Sequence, residues 1–281
     1  MTKFPTASIP DTEVRTIRSS STHQEYRISV ALPATYARQL DKTYPVIYLL
    51  DANSLFGMVT EMVRSMSIRV PFCNELPDTL VVGIGYSVDG HLSPNGMNEQ
   101  VASLRLRDFL PIVDANSEQA MLQMFPALKS VESGGASHFL QFIQQELIPL
   151  VEAEYRVDTT NRTLLGHSWG GVFALYTLFQ EPRLFQRYVV VGADLPLGKG
   201  IILDYEQAFA KQHDALPVRL YLAFAEHELD DYKLPFVTPF VKALESRQYS
   251  GFRFTNQTIA NCKHCGVVVP AFQAGLASVF E

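Results

Sequence analysis

The sequence predicts an α/β domain built on a mainly parallel central sheet. Short apolar runs rich in β-branched and aromatic residues, such as TYPVIYLLDAN (43–53) and TLVVGIGY (79–86), read as strands buried on both faces. Stretches with helical spacing lie between such runs, so strands and helices alternate along most of the chain. Only the first two strands come without a helix between them, which predicts an antiparallel edge. The chain has 281 residues, enough for a single large core, and no repeat or low-complexity linker divides it.

Residues 11–32 alternate well enough for two strands. The second, in QEYRISVALP, puts Tyr26, Ile28, Val30 and Leu32 on one face, and Pro33 ends it. After the 43–53 strand, LFGMVTEMVRSMSI (55–68) has helical spacing at Leu55, Met58, Val59, Met62 and Met66. Its methionines are expected in ordinary core. Residues 87–135 carry clusters of Gly, Pro, Asn, Asp and Ser with little period. They are expected to be irregular, with one short helix, and to act as a substrate loop or lid or as a plain surface excursion.

SHFLQFIQQELIPLVEAEY (137–155) is a long amphipathic helix that Pro149 can kink. RTLLG (162–166) is a short strand and VFALYTLFQ (172–180) a helix. RYVVVG (187–192), VRLYLAFA (218–225) and GFRFTNQTI (251–259) are further strands. Helices are expected at about 201–212 and 236–248, and AFQAGLASVF (271–280) closes the chain as a helix. Ligands of such sheets bind at the carboxyl ends of the strands.

Composition narrows the function. Hydrophobic residues make up 47% and charged residues 19%, as in a globular protein. The net charge is −6 and no basic run stands out, so no nucleic-acid partner is expected. The N-terminal stretch has no apolar signal core, and no run reaches the roughly 18 apolar residues that span a bilayer. Three cysteines cannot all pair within one chain. A soluble, cytoplasmic protein with no membrane partner is expected; the oligomeric state stays open.

The stretch GHSWGG (166–171) fits G-x-S-x-G through Gly166, Ser168 and Gly170. Alone the pattern is weak. Here a strand precedes it and a helix follows, the setting in which the serine sits on a strained turn with its hydroxyl above the sheet edge. A serine needs a base, and in this setting the chain order is serine, acid, histidine. Of the seven histidines, only His227 and His264 follow Ser168 on loops after late strands. His264 is the expected base, His227 an ordinary loop histidine, and His167 a packing residue turned away from the serine. The acid should come from the loop after an earlier strand than the histidine's, either the one ending at Ala225 or the one before it. Glu228 is the favoured candidate, with Glu226, Asp230 and Asp194 open.

Taken together, YPVIYLLDAN, VVGIGY, RLRDFLP, GGASHFLQFIQQELIPLVEAEYRV, LLGHSWGGVFALY and HCGVVVPAFQAGLASVF come in an order that resembles the putative esterase family of the α/β-hydrolase superfamily. The likeness covers nearly the whole chain and lies nearest the branch of siderophore esterases; the family also holds esterase D-like enzymes. It implies an α/β-hydrolase fold and a serine carboxylic-ester hydrolase with an acyl-enzyme intermediate, acting on siderophore-type or other small esters without cofactor or metal. An acyltransferase or thioesterase on the same residues is the alternative. Ser168 would be the nucleophile and His264 the base. The N–H groups of Trp169 and Asn53 would stabilise the oxyanion. This chain departs from the family at Ala52, where the pattern has glycine, and at Ala225-Glu226, where glycine-glutamate is usual.

Two further features stand out. Arg105, Arg107 and Asp108 in RLRDFLP either hold a substrate anion, with Arg107 the expected ligand, or form an Arg–Asp pair that pins the segment. Cys262 and Cys265 enclose His264 in a C-x-x-C. With no second such pair to complete a metal site, coincidence is the expected reading and oxidation of the loop the alternative.

Overall fold

The computed structural model of the protein describes residues 7–70, 75–90, 92 and 96–281. Cys73 and His91 lie outside them. The chain runs through β1 (Thr12–Arg18), β2 (Glu25–Ala31), β3 (Tyr44–Leu49), α1 (Ala52–Met66), β4 (Leu80–Tyr86), α2 (Glu99–Phe109), α3 (Ala115–Met124), α4 (Ala136–Phe142) and α5 (Ile148–Glu154). It continues through β5 (Val157–His167), α6 (Trp169–Gln180), β6 (Arg187–Val191), α7 (Ile201–Ala210), β7 (Arg219–Ala225), α8 (Leu234–Ser246), β8 (Arg253–Ile259) and α9 (Val268–Phe280). The strands form one sheet in the order β1-β2-β4-β3-β5-β6-β7-β8. β2 pairs antiparallel with β1 and β4, and every other pairing is parallel. The antiparallel edge is where the missing helix between the first two strands put it.

The central strands alternate between two cores because side chains of a strand point to opposite faces in turn. In β3, Tyr44, Val46 and Tyr48 join the core beneath α2, α4, α6, α7 and α8. Ile47 and Leu49 join the core beneath α1 and α9. Both faces are covered, so these strands read as continuous apolar runs. The outer strand β8 is covered on neither face to the same degree and exposes Arg253, Thr255, Asn256 and Gln257, which keeps that edge polar.

Two expectations needed correction. Among the described residues, 87–135 holds two helices, α2 and α3, rather than one short helix in irregular chain. Asn98 caps α2 by accepting the N–H of Val101, and Asp114 caps α3 by accepting that of Ser117. α2 buries Ala102, Leu106 and Phe109, a helical spacing that the surrounding turn formers mask. The 137–155 helix is distorted just before Pro149, as expected. It is divided by a π turn at Ile143–Leu147, where the N–H of Ile148 reaches back to the carbonyl of Ile143. Pro149 follows directly; its ring clashes with the carbonyl four residues earlier, and the wider turn relieves that clash. β5 is also longer than the expected 162–166, with an irregularity in its pairing to β3 between Tyr44 and Val46.

Helix α9 lies so close to the sheet that only glycine fits at its centre. A Cβ at Gly275 would sit 2.5 Å from Val189 Cγ1 and 2.6 Å from Tyr221 Cδ1, both buried. Gly275→Ala should lower stability by about 1–3 kcal/mol through overpacking. Urea unfolding will show this as a lower midpoint at unchanged slope; an unchanged midpoint would mean that α9 shifts freely.

Candidate active site

The carboxyl ends of β3, β5, β6 and β7 meet at one edge of the sheet. At the end of β5, Ser168 has φ 59° and ψ −124°, a backbone state that side-chain-bearing residues avoid and that costs about 1–3 kcal/mol. Its N–H is held by the carbonyl of Val191 in β6 at 2.9 Å. The turn is possible because Gly166 has no side chain: a Cβ there would lie 2.2 Å from the carbonyl oxygen of Gly170. α6 then starts at Trp169, and its body from Gly170 to Phe179 is buried. The N–H of Trp169 belongs to the first turn, where helical N–H groups lack partners within the helix.

His264 follows β8 and is half-buried. Its Nδ1 hydrogen-bonds to Oε1 of Glu228, which sits three residues past the end of β7 and is 7% exposed. Glu228 also accepts the N–H of Ala225 at 3.0 Å and the Nζ of Lys233 at 3.1 Å. Burial alone would raise its pKa, but the hydrogen bond from His264, that from Ala225 and the charge of Lys233 outweigh it and hold the carboxyl at about 2. The other candidate acids are engaged elsewhere. Glu226 accepts the N–H of Asn261 at 2.8 Å, Asp230 accepts those of Tyr232 and Lys233, and Asp194 lies 3.4 Å from the indole nitrogen of Trp169. His227 is exposed.

Three participants were not legible as such in the sequence. Gly192, at the end of β6, has φ 57°, and a Cβ there would lie 3.3 Å from both carboxylate oxygens of Glu228 and 3.4 Å from Cε1 of His264. The gap for the Glu228–His264 pair therefore needs glycine; a glycine closing an apolar strand was the available cue. His167 does pack, as expected, but onto His264: its Nε2 lies 2.9 Å from the carbonyl oxygen of His264, and the two rings are 4.5 Å apart. Burial, then the His264 ring, lower its pKa to about 4, so it is neutral at pH 7.

The third is Arg105. Its guanidinium pairs with both carboxylate oxygens of Asp51, the αL residue (φ 58°) between β3 and α1, and lies 5.8 Å from the Trp169 ring centroid. Next along, Asn53 clamps the start of α1 to the end of β4: its Oδ1 accepts the N–H of Tyr86 at 2.7 Å and its Nδ2 donates to the carbonyl of Tyr86 at 2.9 Å. Ala52, the departure from the family pattern, is accommodated against Gly83, where a Cβ would lie 2.7 Å from that of Ala52. Arg107, the expected substrate ligand, donates from Nε to Asp108 at 2.7 Å, and Tyr26 donates to the other oxygen of that buried carboxylate at 2.7 Å. That pairing ties α2 to β2, and it is Arg105 that reaches the elbow. Cys262 and Cys265 are free, the latter exposed.

Residues 86–198 match the family described as Putative esterase. Among curated proteins, the chain is 35% identical over 226 residues to the ferri-bacillibactin esterase BesA of Bacillus subtilis, covering 79% of this chain and 72% of that protein. It is 32% identical over 213 residues to a siderophore enterobactin esterase of Emericella nidulans, covering 72% of this chain and 65% of the relative. Among solved structures, the BES protein from Bacillus cereus superposes with a TM-score of 0.82 at 24% identity, over 100% of this chain and 99% of that one. That last likeness concerns the fold, an α/β-hydrolase fold with eight strands.

Because the Glu228 carboxyl sits below its ordinary value of 4.5, the unfolded chain takes up its proton first as pH falls. The stability this carboxylate supplies is full above about pH 5 and is lost on the way down towards pH 2. Wild type should lose about 2 kcal/mol more than Glu228→Gln between pH 6 and pH 3. Urea unfolding at both values checks this; parallel losses would mean that the carboxylate is not held so tightly.

Proposed function

The chain belongs to the putative esterase family and is a carboxylic-ester hydrolase, and from that premise we propose a Ser168–His264–Glu228 mechanism acting on siderophore-type esters. The observation that carries the mechanism is the strained elbow at Ser168, on the same sheet edge as a histidine oriented by a buried carboxylate.

Ser168 Oγ attacks the ester carbonyl while His264 Nε2 takes its proton. Glu228 keeps the proton of His264 on Nδ1 and stabilises the imidazolium that forms. The N–H groups of Trp169 and Asn53 face the developing oxyanion; the Asn53 clamp on Tyr86 fixes the second donor before substrate arrives. Collapse of the intermediate expels the alcohol, which takes the proton from His264. Water then repeats the sequence on the acyl-enzyme.

The substrate class rests on the relatives, whose names specify ferri-bacillibactin and enterobactin as what those proteins act on. On this reading the chain is one catalytic domain, and α2 and α3 form a wall of the substrate site. Among the described residues no helix is long and apolar enough to cross a membrane. A cytoplasmic setting is part of the same reading.

Wild type should hydrolyse p-nitrophenyl acetate and butyrate, and Ser168→Ala should fall by at least about 1000-fold in kcat. A catecholate trilactone should be cleaved with a higher kcat/KM than either. A mutant as active as wild type would remove Ser168 from the mechanism, and a trilactone left intact would remove the substrate class while leaving the esterase.

A further inference from the structure

His167 immediately precedes the nucleophile and hydrogen-bonds the main chain of the base. The partner atom is a carbonyl oxygen, which only accepts, so His167 must donate from Nε2. One proton on Nε2 and none on Nδ1 is the neutral tautomer, the form that burial in this position favours. The ring centroids of His167 and His264 lie 4.5 Å apart, with the planes tilted by 37°. A cation at His167 would stand against the imidazolium that His264 becomes during acyl transfer, so a neutral donor is the form that suits the site.

The loop that carries His264 is otherwise thinly held. Asn261, Lys263, Cys265 and Gly266 are exposed. Its other anchors are the N–H of Asn261 on Glu226 at 2.8 Å and the N–H of His227 on the carbonyl of Cys262 at 3.2 Å. Both anchors run to the loop after β7. The ring of His264 is bound to the same loop through Glu228. Among the described residues, the His167 bond is the hydrogen bond that joins His264 to β5, the strand that leads into Ser168.

We propose that His167 is a positioning residue that sets the separation of nucleophile and base by tying the His264 carbonyl to the elbow. The inference rests on the reading of Ser168 and His264 given above. Without the tie, His264 keeps its bond to Glu228 and moves with the β7 loop, so the serine–imidazole geometry loosens. The loss then falls on the chemical step, since substrate does not touch His167 through this bond. Misplacement of this kind, on the order of 1 Å, costs up to about 100-fold in rate.

The test compares His167→Phe and His167→Leu, which fill the space without a donor, with His167→Gln, whose amide nitrogen can take the place of Nε2. Folding is checked by urea midpoint, and kcat and KM for p-nitrophenyl butyrate are measured per active site, counted with a fluorophosphonate. Two apolar variants are used so that a folding failure of one leaves the other to decide. The expected result is a loss of about 10- to 100-fold in kcat for Phe and Leu, KM within about twofold of wild type, and recovery to within about threefold in Gln. Full kcat in a folded Phe or Leu variant would overturn the proposal. So would a loss that Gln does not recover, or one that appears in KM. If wild type itself neither turns over nor takes the label, the reading of Ser168 fails instead, and the two failures cannot be confused.

Discussion

The close approach of α6 to the end of β5 is the constraint on which the site depends. The carbonyl of Gly170 lies where a side chain at residue 166 would begin, and no residue with a Cβ can occupy that position without moving the helix. Once the two elements touch, the chain between them has no room for a relaxed turn. Ser168 takes the strained conformation because strand and helix, each buried in apolar surroundings, hold both ends of the turn. The hydroxyl is presented and the helical N–H of Trp169 is left open by the same geometry. Neither requires a residue whose purpose is catalysis alone.

Around this point, opposite charge preferences are set by what each buried group can pair with. Glu228 and His167 both lie in places where burial disfavours charge. Glu228 finds a ring N–H, a main-chain N–H and a lysine, and stays ionised well below its ordinary range. His167 finds a carbonyl and another imidazole, and stays neutral. An anion on one side of His264 and a neutral donor on the other suit a base that must become positive and then return. Asp51 and Arg105 make a similar arrangement at the end of β3, where a bidentate pair immobilises the residue at which the loop turns.

Much of this was legible in the chain. The buried strands, the antiparallel edge, the serine elbow and the order of Ser168, Glu228 and His264 past successive strands all follow from runs, spacings and motif context that one-dimensional reasoning can read. The paired helices α2 and α3 were not, because the Asn, Asp, Ser and Gly residues that cap and join them look the same as those of an irregular loop. The acid was narrowed to four carboxylates, and choosing Glu228 among them depends on which one meets an imidazole 36 residues away. The arginines of RLRDFLP divide for the same reason: Arg105 and Arg107, on one helix, reach Asp51 and Asp108 respectively, which spacing alone does not assign. Gly192 and His167 act only through partners brought by other strands.

The central claim is that Ser168 is the single activated nucleophile. The most direct measurement is labelling of the folded protein with a fluorophosphonate, followed by mass spectrometry of the intact chain and of its peptides. One adduct per chain, on the peptide holding Ser168, absent in Ser168→Ala and slowed in His264→Ala, is the result the account predicts. An adduct on another residue, or a folded wild-type chain that takes no label, would contradict it.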